Sequence, residues 1–258
     1  MSATPVARNT NPYILPASIL IAAVTIGGSI IYLVKGDNGG TPAPTGKNVN
    51  PLSLAYKGGK TAFSECVDSK KYAATAQADN AAGGAAGVNS TPTTFVNGKK
   101  VVDANGNSVG ANGQTILDAI AAAVKKPTPA PTTGPLALTS RDVVLGDANE
   151  PVTVIEYGDY QCPFCELFSI NVQPLIEQQY VQTGKVKFVF RDFPFLGQES
   201  LDAGAAVECA KDGGKFWEYH NALYASKTED AKKYGGGEND GFLNRDMFLN
   251  LAQKVGLK

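Results

Sequence analysis

The ten residues Glu156-Tyr157-Gly158-Asp159-Tyr160-Gln161-Cys162-Pro163-Phe164-Cys165 (EYGDYQCPFC) decide how the rest of the chain is read. Before the cysteines, Pro151 to Tyr157 is an apolar, strand-like run; after them, Glu166 to Gln182 has the apolar spacing of a helix. A CxxC pair at a strand-to-helix switch points to dithiol chemistry rather than packing. The thiolate is the reactive form of cysteine, and the unpaired N–H groups and partial positive charge of a helix start stabilise it at the first position. Cys162 is therefore the candidate nucleophile. One helical turn brings Cys165 back onto it, so the pair can close and reopen a small disulfide ring, with Cys165 as the resolving thiol.

A lone CxxC also fits half of a zinc site or an inert structural bridge. Zinc needs four ligands, and the other candidates, Cys66, Cys209 and His220, show neither a second CxxC nor a His pair at ligand spacing. No metal and no cofactor is expected. The 258 residues are 43% hydrophobic and 18% charged, which suits one globular domain of moderate size with linkers and an anchor. A net charge of −1 and the lack of any basic run argue against a nucleic-acid partner.

Ile14 to Val34 carries no charged side chain and, as a helix, is long enough to cross a hydrocarbon core about 30 Å thick. The apolar region of a cleaved signal peptide is shorter, about 7 to 15 residues, and no small-x-small cleavage site follows Val34. The expected organisation is a short cytoplasmic tail over 1–12, a transmembrane signal anchor over 13–35 and a flexible linker over 36–58. Arg8 before the segment and Lys35 after it say little about orientation. Disulfide chemistry belongs outside the cytosol, so the expected location is the cell membrane, single-pass, with the catalytic domain extracytoplasmic.

The remainder splits at a Pro-rich linker over 126–140. The second half, 141–258, begins with a strand, helix, strand unit: Val152 to Tyr157, Glu166 to Gln182 and Lys185 to Arg191. Helical spacing follows over Glu199 to Ala225 and Arg245 to Val255. Two parallel strands cannot bury both faces and edges of a sheet alone, so this half lacks partners. The first half, 59–125, offers them: an Ala-rich helical stretch from Thr61 to Ala86, strands Thr93 to Val96 and Lys99 to Val102 around the Asn97-Gly98 turn, and a helix over Thr115 to Val124.

Over nearly all of 59–258 these residues resemble the DsbA-like branch of the thioredoxin superfamily. EYGDYQCPFC at 156–165 is similar to the family's active-site strand and helix start, KFWEYH at 215–220 to its inserted helical region, and VNSTPTTFVNGK at 88–99 to its cis-proline segment. The order departs from the family: the proline segment here precedes the CxxC half. The fold class implied is α/β, a thioredoxin-like fold with an inserted helical subdomain and its halves in circularly permuted order, plus the N-terminal transmembrane helix. A linker of this length reaches about 50 Å when extended, enough to join the former termini. A domain-swapped dimer built from the same halves is the alternative.

The resemblance also implies roles. Thr91 and Pro92 would form a cis peptide beside the CxxC that aligns substrate backbone, against an ordinary trans turn otherwise. Glu156 matches a buried acidic residue with a raised pKa, able to relay a proton for Cys165, where the residue alone could equally be a solvated strand-end charge. Pro163 and Phe164 form the active-site dipeptide, and Phe164 cannot donate a hydrogen bond to the Cys162 sulfur as a histidine would. Cys66 and Cys209 resemble the family's second, structural disulfide, with two free buried cysteines the alternative. The function implied is a membrane-anchored thiol-disulfide oxidoreductase that introduces disulfides into unfolded or reduced secreted proteins. A membrane reoxidant, DsbB-like or vitamin-K-epoxide-reductase-like, would restore it. The alternatives are a reductase or isomerase of the same fold, or a non-catalytic binding or chaperone module. His220 is expected to pack with Trp217 and Tyr219, without a catalytic part.

Overall fold

The seven residues Val152–Gly158 are buried along their whole length, as a run of Val, Thr and Ile is when it lies inside a sheet covered on both faces. The computed structural model describes residues 50–257. In chain order its elements are α1 (Ala62–Asp68), α2 (Ala73–Ala85), β1 (Thr93–Val96), β2 (Lys99–Lys100), α3 (Gly113–Lys125), β3 (Val144–Leu145), β4 (Val152–Gly158), α4 (Pro163–Asn171), α5 (Gln173–Ile176), β5 (Val186–Asp192), α6 (Gln198–Asp212), α7 (Phe216–Tyr234) and α8 (Arg245–Lys254). The strands form one mixed sheet in the order β2-β1-β4-β5-β3. The chain therefore has a thioredoxin-like α/β fold.

The two sequence halves meet at the middle of this sheet. β4 pairs in parallel with β5 on one side, and antiparallel with β1 on the other, Thr94 facing Glu156 and Phe95 facing Ile155. The β1–β2 hairpin turns at Asn97 and Gly98, both at positive φ, the conformation that a tight two-residue hairpin requires. Asn97 also fixes register, since its Oδ1 accepts the Thr153 N–H at 2.7 Å and its own N–H donates to Thr153 O at 2.8 Å.

Alternation along the strands divides the core. Val152 and Val154 of β4, with Val186 and Phe188 of β5, pack against Ile116 and Ile120 of α3 and Phe168 of α4. Ile155 and Tyr157 face the other way, with Phe95, Val189 and Phe193. The i, i+4 spacing of Ile116 and Ile120 explains why α3 presents one buried stripe. A separate helical core joins Phe63 of α1 to Tyr219, Leu223, Met247, Phe248 and Leu251 of α7 and α8, and Cys162 and Cys165 lie at its edge.

Several boundaries differ from the sequence reading. The stretch 61–86 is two helices, because the chain turns through Lys70 at φ 52. The stretch 199–225 breaks at Gly213 and Gly214, the latter at φ 69, and the second helix runs on to Tyr234. The helix expected from Glu166 starts at Pro163, a residue whose fixed φ and missing N–H suit a first turn. It is interrupted at Val172, because Pro174 has no N–H to continue the ladder, and it ends in a π-helical turn over Glu177–Val181. The β2 ladder stops at Lys100, and Val102 makes only a bridge to Ser108. β3, two residues long, carries no periodicity and was not anticipated.

The Pro-rich linker lies against the sheet. Arg191 of β5 donates to the carbonyls of Pro135 and Ala137, each at 2.7 Å, to the Asp142 carboxylate at 2.7 and 2.9 Å, and to the Tyr157 hydroxyl at 3.0 Å. Asn97 Nδ2 holds Thr128 O at 2.7 Å. No helix among the described residues is long and apolar enough to cross a membrane. The tail and anchor expected over 1–12 and 13–35, and the first part of the linker over 36–58, lie outside the described residues.

Candidate active site

Cys162 is the N-cap of α4 and uses no side-chain capping bond, so its sulfur is left free at the helix start. Its N–H donates to Asp159 O at 3.0 Å, and its carbonyl accepts the Cys165 N–H at 3.0 Å, which closes the turn that stacks the two cysteines. Both are free thiols here; Cys162 is 5% exposed and Cys165 fully buried. Pro163 sets the first turn, while Phe164 points outward at 59% exposure. Leu167 and Phe195 add exposed apolar surface.

The proline segment reaches the site from the other half of the chain. The Thr91–Pro92 peptide is cis, and the Cys162 thiol donates to Thr91 O at 3.5 Å. The Thr91 hydroxyl is buried with no hydrogen-bond partner. Pro92 O accepts from the Ser108 hydroxyl at 3.0 Å, which ties the loop back to the sheet.

The two sulfurs have opposite electrostatics. The Cys162 thiol is held down to about 6, first by its hydrogen bond from the Cys165 thiol, then by Thr91 and the N–H groups of Cys165 and Phe164. These outweigh burial, which pushes the other way. The Cys165 thiol is pushed far up, chiefly by burial and further by its bond to the Cys162 sulfur and by that sulfur's charge. Beneath them Glu156, 1% exposed, has no hydrogen-bond partner for Oε1. Burial raises its pKa well above the usual carboxylate range, and the Cys162 charge adds to the effect. Near neutral pH the reduced site thus holds a Cys162 thiolate beside a Cys165 thiol, over a buried carboxyl that holds its proton more tightly than usual. It has a nucleophile that is all but buried at the helix start, a fully buried leaving group and a buried carboxyl beneath them.

Residues the sequence reading passed over complete the site. Asp159, fully buried, accepts four hydrogen bonds on its carboxylate, and its own N–H lies 3.5 Å from the Cys165 sulfur. Gln161, also buried, bridges to Ser200 at 2.9 Å and accepts the Asn239 N–H at 2.5 Å. The available signal was the Asp three residues before the helix-capping Cys162, since Asp side chains commonly bond the backbone two residues on. His220 packs among Tyr160, Phe190, Trp217 and Tyr224, with the Tyr160 hydroxyl 2.8 Å from Nδ1. Burial lowers its pKa to about 3, so it is neutral.

Cys66 and Cys209 form a disulfide away from the site, in the helical core, and it joins α1 to α6 across 143 residues of sequence. The structure thus brings Cys162, Cys165, Glu156, Thr91 and Pro92 together and leaves the second cysteine pair apart.

Comparison with known proteins gives a consistent set. A family model described as Thioredoxin matches residues 42–118 and 138–254. A probable disulfide bond formation protein D of Bacillus cereus is 36% identical over 113 residues, 43% of this chain and 48% of that protein. The disulfide bond formation protein D of Bacillus subtilis is 36% identical over 93 residues, 35% of this chain and 42% of its own. The chain spans about half the length of the curated relatives it matches. Among solved structures, Wolbachia pipientis alpha-DsbA1 is 28% identical over 47% of this chain and 57% of its own, with a TM-score of 0.39.

Proposed function

This chain belongs to the thioredoxin family, and from that premise we propose that it is a DsbA-like protein disulfide oxidoreductase whose Cys162–Cys165 pair donates a disulfide to reduced polypeptides. The observation that carries the reading is the unequal pair: Cys162 held down to about 6 at the helix start, Cys165 pushed far up beneath it.

The chemistry follows from that inequality. In the oxidised enzyme a substrate thiolate attacks the Cys162 sulfur, forming the mixed disulfide and breaking the Cys162–Cys165 bond. Cys165 departs as a thiolate with a high proton affinity, and Glu156, buried and with its own proton affinity raised, is the nearby acid assigned to supply the proton. A second substrate thiolate then attacks the substrate sulfur and expels Cys162. Thiols of lower pKa leave faster, so a Cys162 thiolate at about 6 favours release of oxidised substrate. Two substrate thiols become one disulfide, and the enzyme ends with its pair reduced. Thr91, whose carbonyl lies 3.5 Å from the Cys162 sulfur, and Pro92 next to it are the assigned substrate-backbone contact.

Regeneration needs an oxidant, and the assigned partner is a membrane reoxidant of DsbB-like or vitamin-K-epoxide-reductase-like kind. The charge-free run from Ile14 to Val34 supports a single-pass anchor with the domain outside the cytosol. The halves are read as circularly permuted: Thr91, on the segment that leads into β1, precedes the CxxC in sequence yet its carbonyl lies 3.5 Å from the Cys162 sulfur. The test is equilibration of the full chain with glutathione buffers. A potential near about −120 mV supports a disulfide donor; one near about −270 mV makes the protein a reductant and removes the oxidase assignment.

A further inference from the structure

Asp159 sits between β4 and the CxxC, and it addresses both cysteines with its backbone while its side chain faces elsewhere. Its carbonyl accepts the Cys162 N–H at 3.0 Å and the Tyr224 hydroxyl at 3.2 Å. Its N–H points at the Cys165 sulfur, 3.5 Å away. The carboxylate meanwhile accepts the Gln161 N–H at 2.8 Å and the Ser200 hydroxyl at 2.6 Å on Oδ1, and the Phe195 and Leu196 N–H groups at 2.9 and 3.0 Å on Oδ2. Three separate pieces of chain, the active-site turn, the loop after β5 and the start of α6, are thus fastened to one buried side chain.

We propose that Asp159 is a positioning residue for the leaving thiolate: its carboxylate locks the turn so that its own N–H is aimed at Cys165 when the Cys162–Cys165 bond opens. This rests on the oxidoreductase reading above. As substrate sulfur bonds to Cys162, the electron pair of the broken bond goes to Cys165, which is buried where no water can reach it. A hydrogen bond to a charged atom in such a place is worth more than one between neutral groups. Among the described residues the Asp159 N–H is the backbone donor on that sulfur. A carboxylate is needed for the lock because all four groups aimed at it are donors. An amide in its place would turn an NH2 toward two of them and lose both bonds.

Two measurements on the full chain separate this from simple bracing of the fold. The first is the rate at which dithiothreitol opens the oxidised pair, read by acid quench and alkylation. The second is the thiolate absorbance titration of Cys165 in a Cys162→Ser background, which a purely structural role would leave in place. For Asp159→Asn the opening is expected about tenfold slower and the Cys165 midpoint about one pH unit higher, the size of one charge-assisted hydrogen bond. Ser200→Ala, which removes one of the four bonds, is expected to slow opening about threefold. Folded variants that open within twofold of the parent, with an unmoved Cys165 midpoint, overturn the proposal. If Asp159→Asn does not fold, Ser200→Ala decides: graded slowing supports the role and an unchanged rate refutes it. A parent protein inert to thiols removes the oxidoreductase reading itself, while the Cys165 titration still reports on Asp159.

Discussion

Replacing Cys165 by alanine removes the largest single cause of the low Cys162 pKa, the hydrogen bond from the Cys165 thiol. A hydrogen bond to a charged group contributes about 1.5 to 3 kcal/mol, which at 1.36 kcal/mol per pH unit is about one to two units. The Cys162 midpoint should therefore climb from about 6 to about 7 to 8. Truncation also lets water nearer the sulfur, which favours the thiolate and places the expected shift toward the lower end. At pH 7 the thiolate fraction falls from about nine-tenths to about a half or less. Because Cys66 and Cys209 are bridged, Cys162 is the sole free thiol in this variant, and its absorbance near 240 nm, or its iodoacetamide rate against pH, reads one group. Cys165→Ser keeps an O–H donor and should stay within about half a unit of the parent. An alanine variant that still titrates near 6 would refute the reasoning and assign the low pKa to the helix start and Thr91 instead. Equal rises in both variants would show that sulfur chemistry, not hydrogen bonding, is responsible.

Glu156→Gln keeps the volume but removes the buried acid, and stopped-flow oxidation of a reduced peptide should slow by about tenfold or more at pH 7, with the Cys162 titration little changed. Removing the Cys66–Cys209 bridge with a double serine substitution should lower the unfolding free energy by about 5 kcal/mol in urea titrations, from the chain-entropy estimate for so long a loop. His220 has its folded pKa lowered to about 3 by burial, below the unfolded value of about 6.5. A group of that sign contributes stability that is complete above pH 6.5 and is lost as pH falls toward its folded pKa. Between pH 6.5 and pH 4 that loss is about 3 kcal/mol, so His220→Gln should flatten the acid limb of the stability profile by that much.

The sequence made the strand-to-helix switch legible because its signals are local: an apolar run, a cysteine, a proline and a second cysteine one turn on. The Asn97-Gly98 hairpin was legible for the same reason, as were Cys162 and Cys165, whereas the cis Thr91–Pro92 loop came only from the family resemblance, since the residues alone read equally as a trans turn. Asp159 and Gln161 were not. Their meaning lies in Phe195, Leu196, Ser200 and Asn239, which approach them only through tertiary folding. The helix breaks at Lys70 and at Gly213 and Gly214 were missed because alanine-rich and mixed polar segments keep helical spacing through a turn that only backbone dihedrals reveal. β3 could not be read, because two residues carry no period.

The linker clasped by Arg191 and the distant bridge between Cys66 and Cys209 together have a consequence for wear. Residues 66 to 209 form a closed covalent ring, and the proline loop, the linker and both active-site cysteines all lie on it. A protease cut between Lys126 and Ser140 would open the ring without releasing either piece, and the nicked protein would run as one species on a non-reducing gel. On a denaturing gel run after reduction the same nicked protein would separate into two pieces, so damage of this kind stays hidden on a non-reducing gel and shows itself only once the Cys66–Cys209 bridge is opened.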